Sequence, residues 1–206
     1  LLNLGLTAWD LSDVPTMHVR FAEALAAFEA IGHRSGVALV RLNRGNAALD
    51  AGDDAAAEAE YEASAVLFRA VGDEANASYG LFGLAEVALG RGELAAARRL
   101  ALESLILRHS AGERRPIPRT LEVLARLERL AGRPEHAVRL LGAAAALREA
   151  LGTAPSTEAP DDPDGETALC RALLGPHACA ALETEGRAMG LDAAVAMARG
   201  ASTEAT

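Results

Sequence analysis

The chain contains no lysine and no glutamine, and all of its basic side chains are arginine. Without lysine there is no Schiff-base nucleophile and no phosphate-loop lysine, so both of those chemistries are excluded from this segment. The all-arginine usage itself reads as the codon bias of a GC-rich genome. Cysteine is nearly missing, 2 in 206 residues, which is too few for a disulfide framework and makes a reducing cytoplasm the default compartment. Aromatic residues are 3% of the chain. The core must therefore be built from Ala, Leu and Val, which suits close helix packing and starves a β-sheet. No apolar run is long enough to cross a membrane. A net charge of -9 leaves no general surface for nucleic acid or anionic lipid, both of which need clustered positive charge.

What the chain does have is punctuation. Gly32, Gly72, Gly112 and Gly152 stand at one regular step, and Gly52, Gly92 and Gly132 form a second series halfway between them. The spacing is a 40-residue unit broken twice per period, the pattern of stacked helical hairpins. It predicts an all-α solenoid of antiparallel hairpins over residues 1–152, about four units with the first truncated. A linker follows at 153–165, capping helices at 166–200 and a tail at 201–206. Each glycine sits where a helix should end in a left-handed residue. Asp53 and Asp73 come next as N-cap candidates. In the second unit the helices are expected at about Ser35–Ala51 and Asp54–Val71. The chain begins at Leu1, without Met, in residues that already read as mid-helix, which suggests a segment of a longer protein. The linker is rich in Pro and Asp, and Gly175-Pro176 is a candidate break within the helical tail.

Superimposing the units aligns Gly5, Gly45, Ala85 and Ala125 in one column. Met17, Ala57, Ala97 and Ala137 fall in a second, and Phe21, Tyr61, Ala101 and Leu141 in a third. Small residues at fixed offsets let helices approach, and a large one fills the gap beside them. This arrangement resembles the tetratricopeptide repeat: Gly45, Ala57 and Tyr61 match its small, Ala and large positions. The longer period is similar to that of large bacterial signal-transduction ATPases, among them LuxR-type and AfsR-type transcriptional regulators. Residues 137–152, AVRLLGAAAALREALG, look like the last repeat of those regulators, and 185–195, EGRAMGLDAAV, resemble their closing motif. The resemblance implies a non-catalytic module for protein interaction or ligand sensing. Its partner would be a protein or peptide, such as the regulator's own ATPase module, or a small inducer. No cofactor, metal or catalytic residue is expected. An alternative of different kind is a stand-alone scaffold with no switching.

The same resemblance places the first helix of each hairpin along a groove. The candidate partner-binding residues are then Trp9, Asn46, Tyr79, Phe82 and Glu86, with Arg119, Arg126 and Arg129 on one face of a basic helix. That face suits an acidic peptide or a phosphate; the competing reading is a solvated mixed-charge surface. Trp9, the only tryptophan, is either a partner anchor or part of the packing of an adjacent repeat. Arg41 and Arg44 break the pattern, because the neighbouring units carry leucines there. A packed guanidinium is costly without an acid, so either the hairpin is rotated, the pair finds an acid such as Asp50 or Glu62, or it serves a groove. The acids from Asp50 to Glu62 otherwise read as a solvated helix face. Cys170, His177 and Cys179 lie close in sequence but lack zinc-ligand spacing, and the two cysteines read as small buried residues. The tail offers Leu169, Leu173, Leu174, Leu182, Met189, Leu191, Val195 and Met197 to cover the end of the last hairpin.

Overall fold

A computed structural model describes residues 1–153 and 163–200. The described residues are helical throughout, in eleven helices joined by short turns. They are α1 (Leu2–Asp10), α2 (Val14–Ala30), α3 (Arg34–Asp50), α4 (Asp54–Ala70), α5 (Glu74–Gly90), α6 (Leu94–Ser110), α7 (Ile117–Leu130), α8 (Pro134–Leu151), α9 (Pro163–Leu174), α10 (Pro176–Ala188) and α11 (Leu191–Gly200). The architecture is a repeated helical hairpin, as the glycine spacing predicts. The chain divides within α6 into two compact units, Leu1–Leu100 and Ala101–Thr206.

The turns follow one rule. The backbone is left-handed at Gly32, Gly52, Gly72, Gly92, Gly112, Gly132 and Gly152, with φ between 64° and 78°. Ser12 occupies the same place in the first turn, also with positive φ (58°), and is the only non-glycine residue to do so among those described. A side chain there clashes with its own carbonyl, at a cost of roughly 1–2 kcal/mol. Before α2 to α5 the next helix is then capped by a side chain, whereas α7 and α8, which follow Pro116 and Arg133, have no such cap. Asp53 Oδ1 accepts from the Ala56 amide at 3.0 Å, Asp73 Oδ1 from Asn76 at 3.0 Å, and Asp13 Oδ1 from Thr16 at 3.2 Å. At α3 the cap is the imidazole of His33, whose Nδ1 accepts from Gly36 at 2.9 Å. That Nδ1 is therefore unprotonated, a role the sequence pattern does not reveal.

In the first unit, α3 and α4 form one hairpin and α5 lies against α4. The ring of Tyr61 fixes their spacing. A methyl group at Gly45 would lie 2.7 Å from Tyr61 Cδ1, and one at Gly83 would lie 2.5 Å from Tyr61 Cε1, so only glycine on both sides admits the ring. The Tyr61 hydroxyl donates to Asn46 Oδ1 at 2.9 Å, which satisfies the polar tip of a buried side chain. One hairpin earlier, Gly5 meets Phe21 in the same way. The small and large columns of the sequence are thus real contact pairs.

In the second unit α8 is the central helix, touching α7, α9, α10 and α11. Three tail helices follow the repeat, one more than the shortest reading of the tail allowed, because Gly175 (φ 81°) separates α9 from α10. The expected linker 153–165 is shortened by α9, which begins at Pro163; residues 154–162 lie outside the described part, as does the expected tail at 201–206. The expected cap also needs correction. Leu169 and Leu173 are exposed, at 50% and 64%. Of the expected residues Val195 is buried and Leu174, Leu182, Met189, Leu191 and Met197 are half-buried; the other buried tail positions are Cys170, Cys179, Gly186, Ala194 and Ala198. Small side chains cover the end of the hairpin because α10 approaches α8 backbone to backbone, at Gly142 and Gly186. Leucines at that crossing would hold the helices apart.

Candidate functional site

A concavity in the first unit lies between α1–α2 and α3–α4, with a volume of about 420 Å³. Its apolar wall comes from Trp9 on α1, Val14, Met17 and Phe21 on α2, and Ala47 and Ala48 on α3. Phe21 and Met17 are fully buried and anchor this wall in the core, with Trp9 half-buried against them. The strained Ser12 closes one corner, and His18 stands beside it. The charged lining comes from Arg44 and Asp50 of α3, the α4 cap Asp53, and Glu60 about two turns further on.

Glu60 resolves the anomalous arginines. Its Oε1 takes Arg44 Nη2 at 2.9 Å and its Oε2 takes Arg41 Nη1 at 3.1 Å. The hairpin is therefore not rotated, and the acid is neither Asp50 nor Glu62. Glu60 faces α3 across the hairpin, whereas Asp50 lies at the exposed end of α3 and Glu62 points to solvent. The solvated-face reading of these acids holds for Glu62 and for Glu58, whose side chain is 42% exposed, and fails for Glu60. Glu58 Oε2 accepts from Arg91 Nη1 at 2.8 Å, which raises the Arg91 pKa above its usual value. No spacing rule could single out Glu60, because the partner helix is twenty residues away in sequence.

The cavity brings Trp9 and Arg44 together; the other candidates go elsewhere. Asn46 is engaged by Tyr61, and Tyr79 packs beside the same ring. Phe82 is 7% exposed, a core residue rather than a groove residue, and Glu86 is half-buried. α5 is buried on nearly all sides, so only a narrow strip of it meets solvent.

Arg119, Arg126 and Arg129 belong to the second unit, where all three are half-buried. The Arg129 guanidinium is committed to Glu166 of α9 by two hydrogen bonds, which raise its pKa further. Beside this pair the buried Cys170 thiol is pushed up to about 11, first by burial and then by the Glu166 carboxylate. A second cavity in this unit, about 280 Å³, is floored by a bidentate pair in which Arg148 Nε and Nη2 reach Glu122 at 2.8 and 2.7 Å. Both cysteines are free and buried, whereas His177 is exposed. Among the described residues no group of three or more His, Cys, Asp or Glu is placed to hold a metal ion, and no helix is long and apolar enough to cross a membrane.

Fold and site together define a class: an all-α protein of repeated helical hairpins with a mixed apolar and charged cavity in its first unit. Set against known families, curated proteins and solved structures, the chain matches none of them.

Proposed function

We propose that the chain is a non-catalytic, ligand-sensing module of a bacterial transcriptional regulator of the signal-transduction ATPase class. The observation that carries the sensing role is the cavity beside Trp9. It falls in the usual volume range of small-molecule sites, about 300–1,000 Å³, and joins an apolar wall to a few fixed charges. The strain at Ser12 supports the same reading. Every other turn of this type holds glycine, and a strained residue retained at a cavity corner is a recurrent mark of functional sites. The regulator assignment rests on the resemblance of residues 137–152 and 185–195 to the end of such proteins. In this reading the ligand enters the α1–α4 cavity, and occupancy is relayed to the regulator's own ATPase module. The module sits in the cytoplasm and does no chemistry itself.

Native mass spectrometry of the full chain against a bacterial metabolite extract tests the sensing role. The expected result is a discrete small-molecule adduct that Trp9→Ala abolishes and Arg129→Ala preserves. An adduct indifferent to Trp9→Ala, or a bare chain throughout, overturns it. The regulator role is tested in the gene: it requires a nucleotide-binding ATPase segment in the same reading frame.

A further inference from the structure

The cavity's walls and charges also select a ligand class. We infer that it takes a small organic cation, a protonated amine carried on an apolar body of aryl or short-alkyl size. This inference rests on the sensing role proposed for the same cavity.

Three carboxylates and one guanidinium line the cavity. The guanidinium of Arg44 is paired with Glu60 at 2.9 Å, so those two charges offset one another. Glu60 also pairs with Arg41, through its other oxygen at 3.1 Å. Two carboxylates remain. Asp53 spends one oxygen on the Ala56 amide at 3.0 Å and keeps the other. Asp50 is exposed and makes no ion pair among the described residues. The carboxylates left without an ion pair share the lining with indole, thioether and phenyl groups. An amine on an apolar body satisfies both kinds of group at once. Its charge meets Asp50 and Asp53, and the Trp9 face adds a cation–π attraction that no carboxylate or phosphate ligand receives. An anionic ligand would face Asp50 and Asp53, with only the paired Arg44 and the exposed His18 in the lining to offset them.

Trp9 is the only tryptophan of the chain, so its fluorescence reports on this cavity without a label. The test titrates the full chain at low salt with 2-phenylethylamine, its neutral isostere 2-phenylethanol, and 3-phenylpropionate. At roughly 0.3–0.5 kcal/mol per non-hydrogen atom, so small an amine should saturate at about millimolar concentration. The alcohol should bind several-fold more weakly and the carboxylate more weakly still. Asp50→Asn should weaken the amine about fivefold, the value of one unscreened contact at the water-exposed limit, and leave the alcohol unchanged. Glu60→Gln frees Arg41 and Arg44 and should shift preference toward the carboxylate. Circular dichroism verifies that each variant is folded.

If the alcohol matches the amine, or the carboxylate exceeds it in the unmodified chain, the cation assignment falls while the cavity stands as a sensor. If N-acetyl-lysine methylamide binds tighter than the aryl amine, the ligand is a peptide's basic side chain and the small-ligand assignment falls. If no probe changes Trp9 saturably, both the inference and the sensing role fall.

Discussion

Replacing Gly186 by alanine should loosen the C-terminal unit, although alanine is the better helix former. Gly186 lies inside α10, where Gly→Ala ordinarily gains up to about 1 kcal/mol. Here the new methyl would overlap the carbonyl oxygen of Arg139 on α8 and lie 2.8 Å from that residue's carbonyl carbon and Cα. All three atoms are backbone, so no side chain can rotate away, and the whole of α10 must retreat by about 1 Å to reach ordinary contact. Overpacking of this kind costs about 1–3 kcal/mol or more. The retreat also stretches two ion pairs that flank the crossing, Arg139 Nε–Glu185 at 2.8 Å and Arg187 Nη2–Glu149 at 2.6 Å. Both are exposed and add little. After the helix-propensity gain, a net loss of about 2 kcal/mol is expected. For a chain of this size that lowers Tm by roughly 4–8 °C. Gly142→Ala should act from the other side, since its methyl would lie 2.5 Å from the Glu183 carbonyl oxygen. The double variant should cost less than the two singles added, because one displacement relieves both clashes. Gly90→Ala, with nothing within 4 Å, is the control and should leave stability unchanged or raise it slightly. Thermal melts followed by circular dichroism decide the matter. If Gly186→Ala melts at or above the unmodified chain, the close crossing of α8 and α10 is wrong.

Three further substitutions and one pH range carry expectations. Ser12→Gly should stabilise the chain by about 0.5–1 kcal/mol, seen as a rise in the urea midpoint at unchanged slope, because it relieves a left-handed serine. Arg148→Ala strands Glu122, which is 6% exposed, and should cost about 3–5 kcal/mol. The double change Arg148→Met with Glu122→Leu should recover most of that in the same unfolding assay. Tyr61→Phe removes the hydroxyl that donates to Asn46 and should cost about 1 kcal/mol without altering the Gly45 and Gly83 contacts, which a melt combined with an unchanged far-ultraviolet spectrum would verify. Cys170 should resist a thiol reagent at pH 8 until the chain unfolds. Its pKa is raised in the folded state to about 11 from 9.0, so the folded state holds the proton longer. Stability from this group is complete below pH 9 and is lost as pH rises toward 11, about 2–3 kcal/mol in all. An unfolding midpoint flat across that range contradicts the buried placement.

The sequence by itself determined the helical class, the hairpin repeat and the turn positions. These are local matters. A left-handed residue every 20 positions ends one helix, and before α2 to α5 a capping side chain starts the next, whatever lies beyond. The pairing of Gly5 with Phe21 and Gly45 with Tyr61 was also legible, because the repeat places equivalent contacts at equivalent spacing. The tertiary structure decided what each polar side chain does. Asn46 and Arg129 read as surface ligands until Tyr61 and Glu166 arrive opposite them from other helices. Arg41 and Arg44 read as anomalies until Glu60 crosses the hairpin to meet both. Phe82 read as a groove residue because periodicity fixes which residues share a face but not how many neighbours that face acquires, and α5 is enclosed on nearly all sides. Leu169 and Leu173 stay exposed for the reverse reason. Hydrophobicity marks what prefers burial, while the crossing at Gly142 and Gly186 is too close for anything but small residues. The cavity beside Trp9 belongs wholly to this second category, since four helices must assemble before its apolar wall and its open carboxylates share one lining.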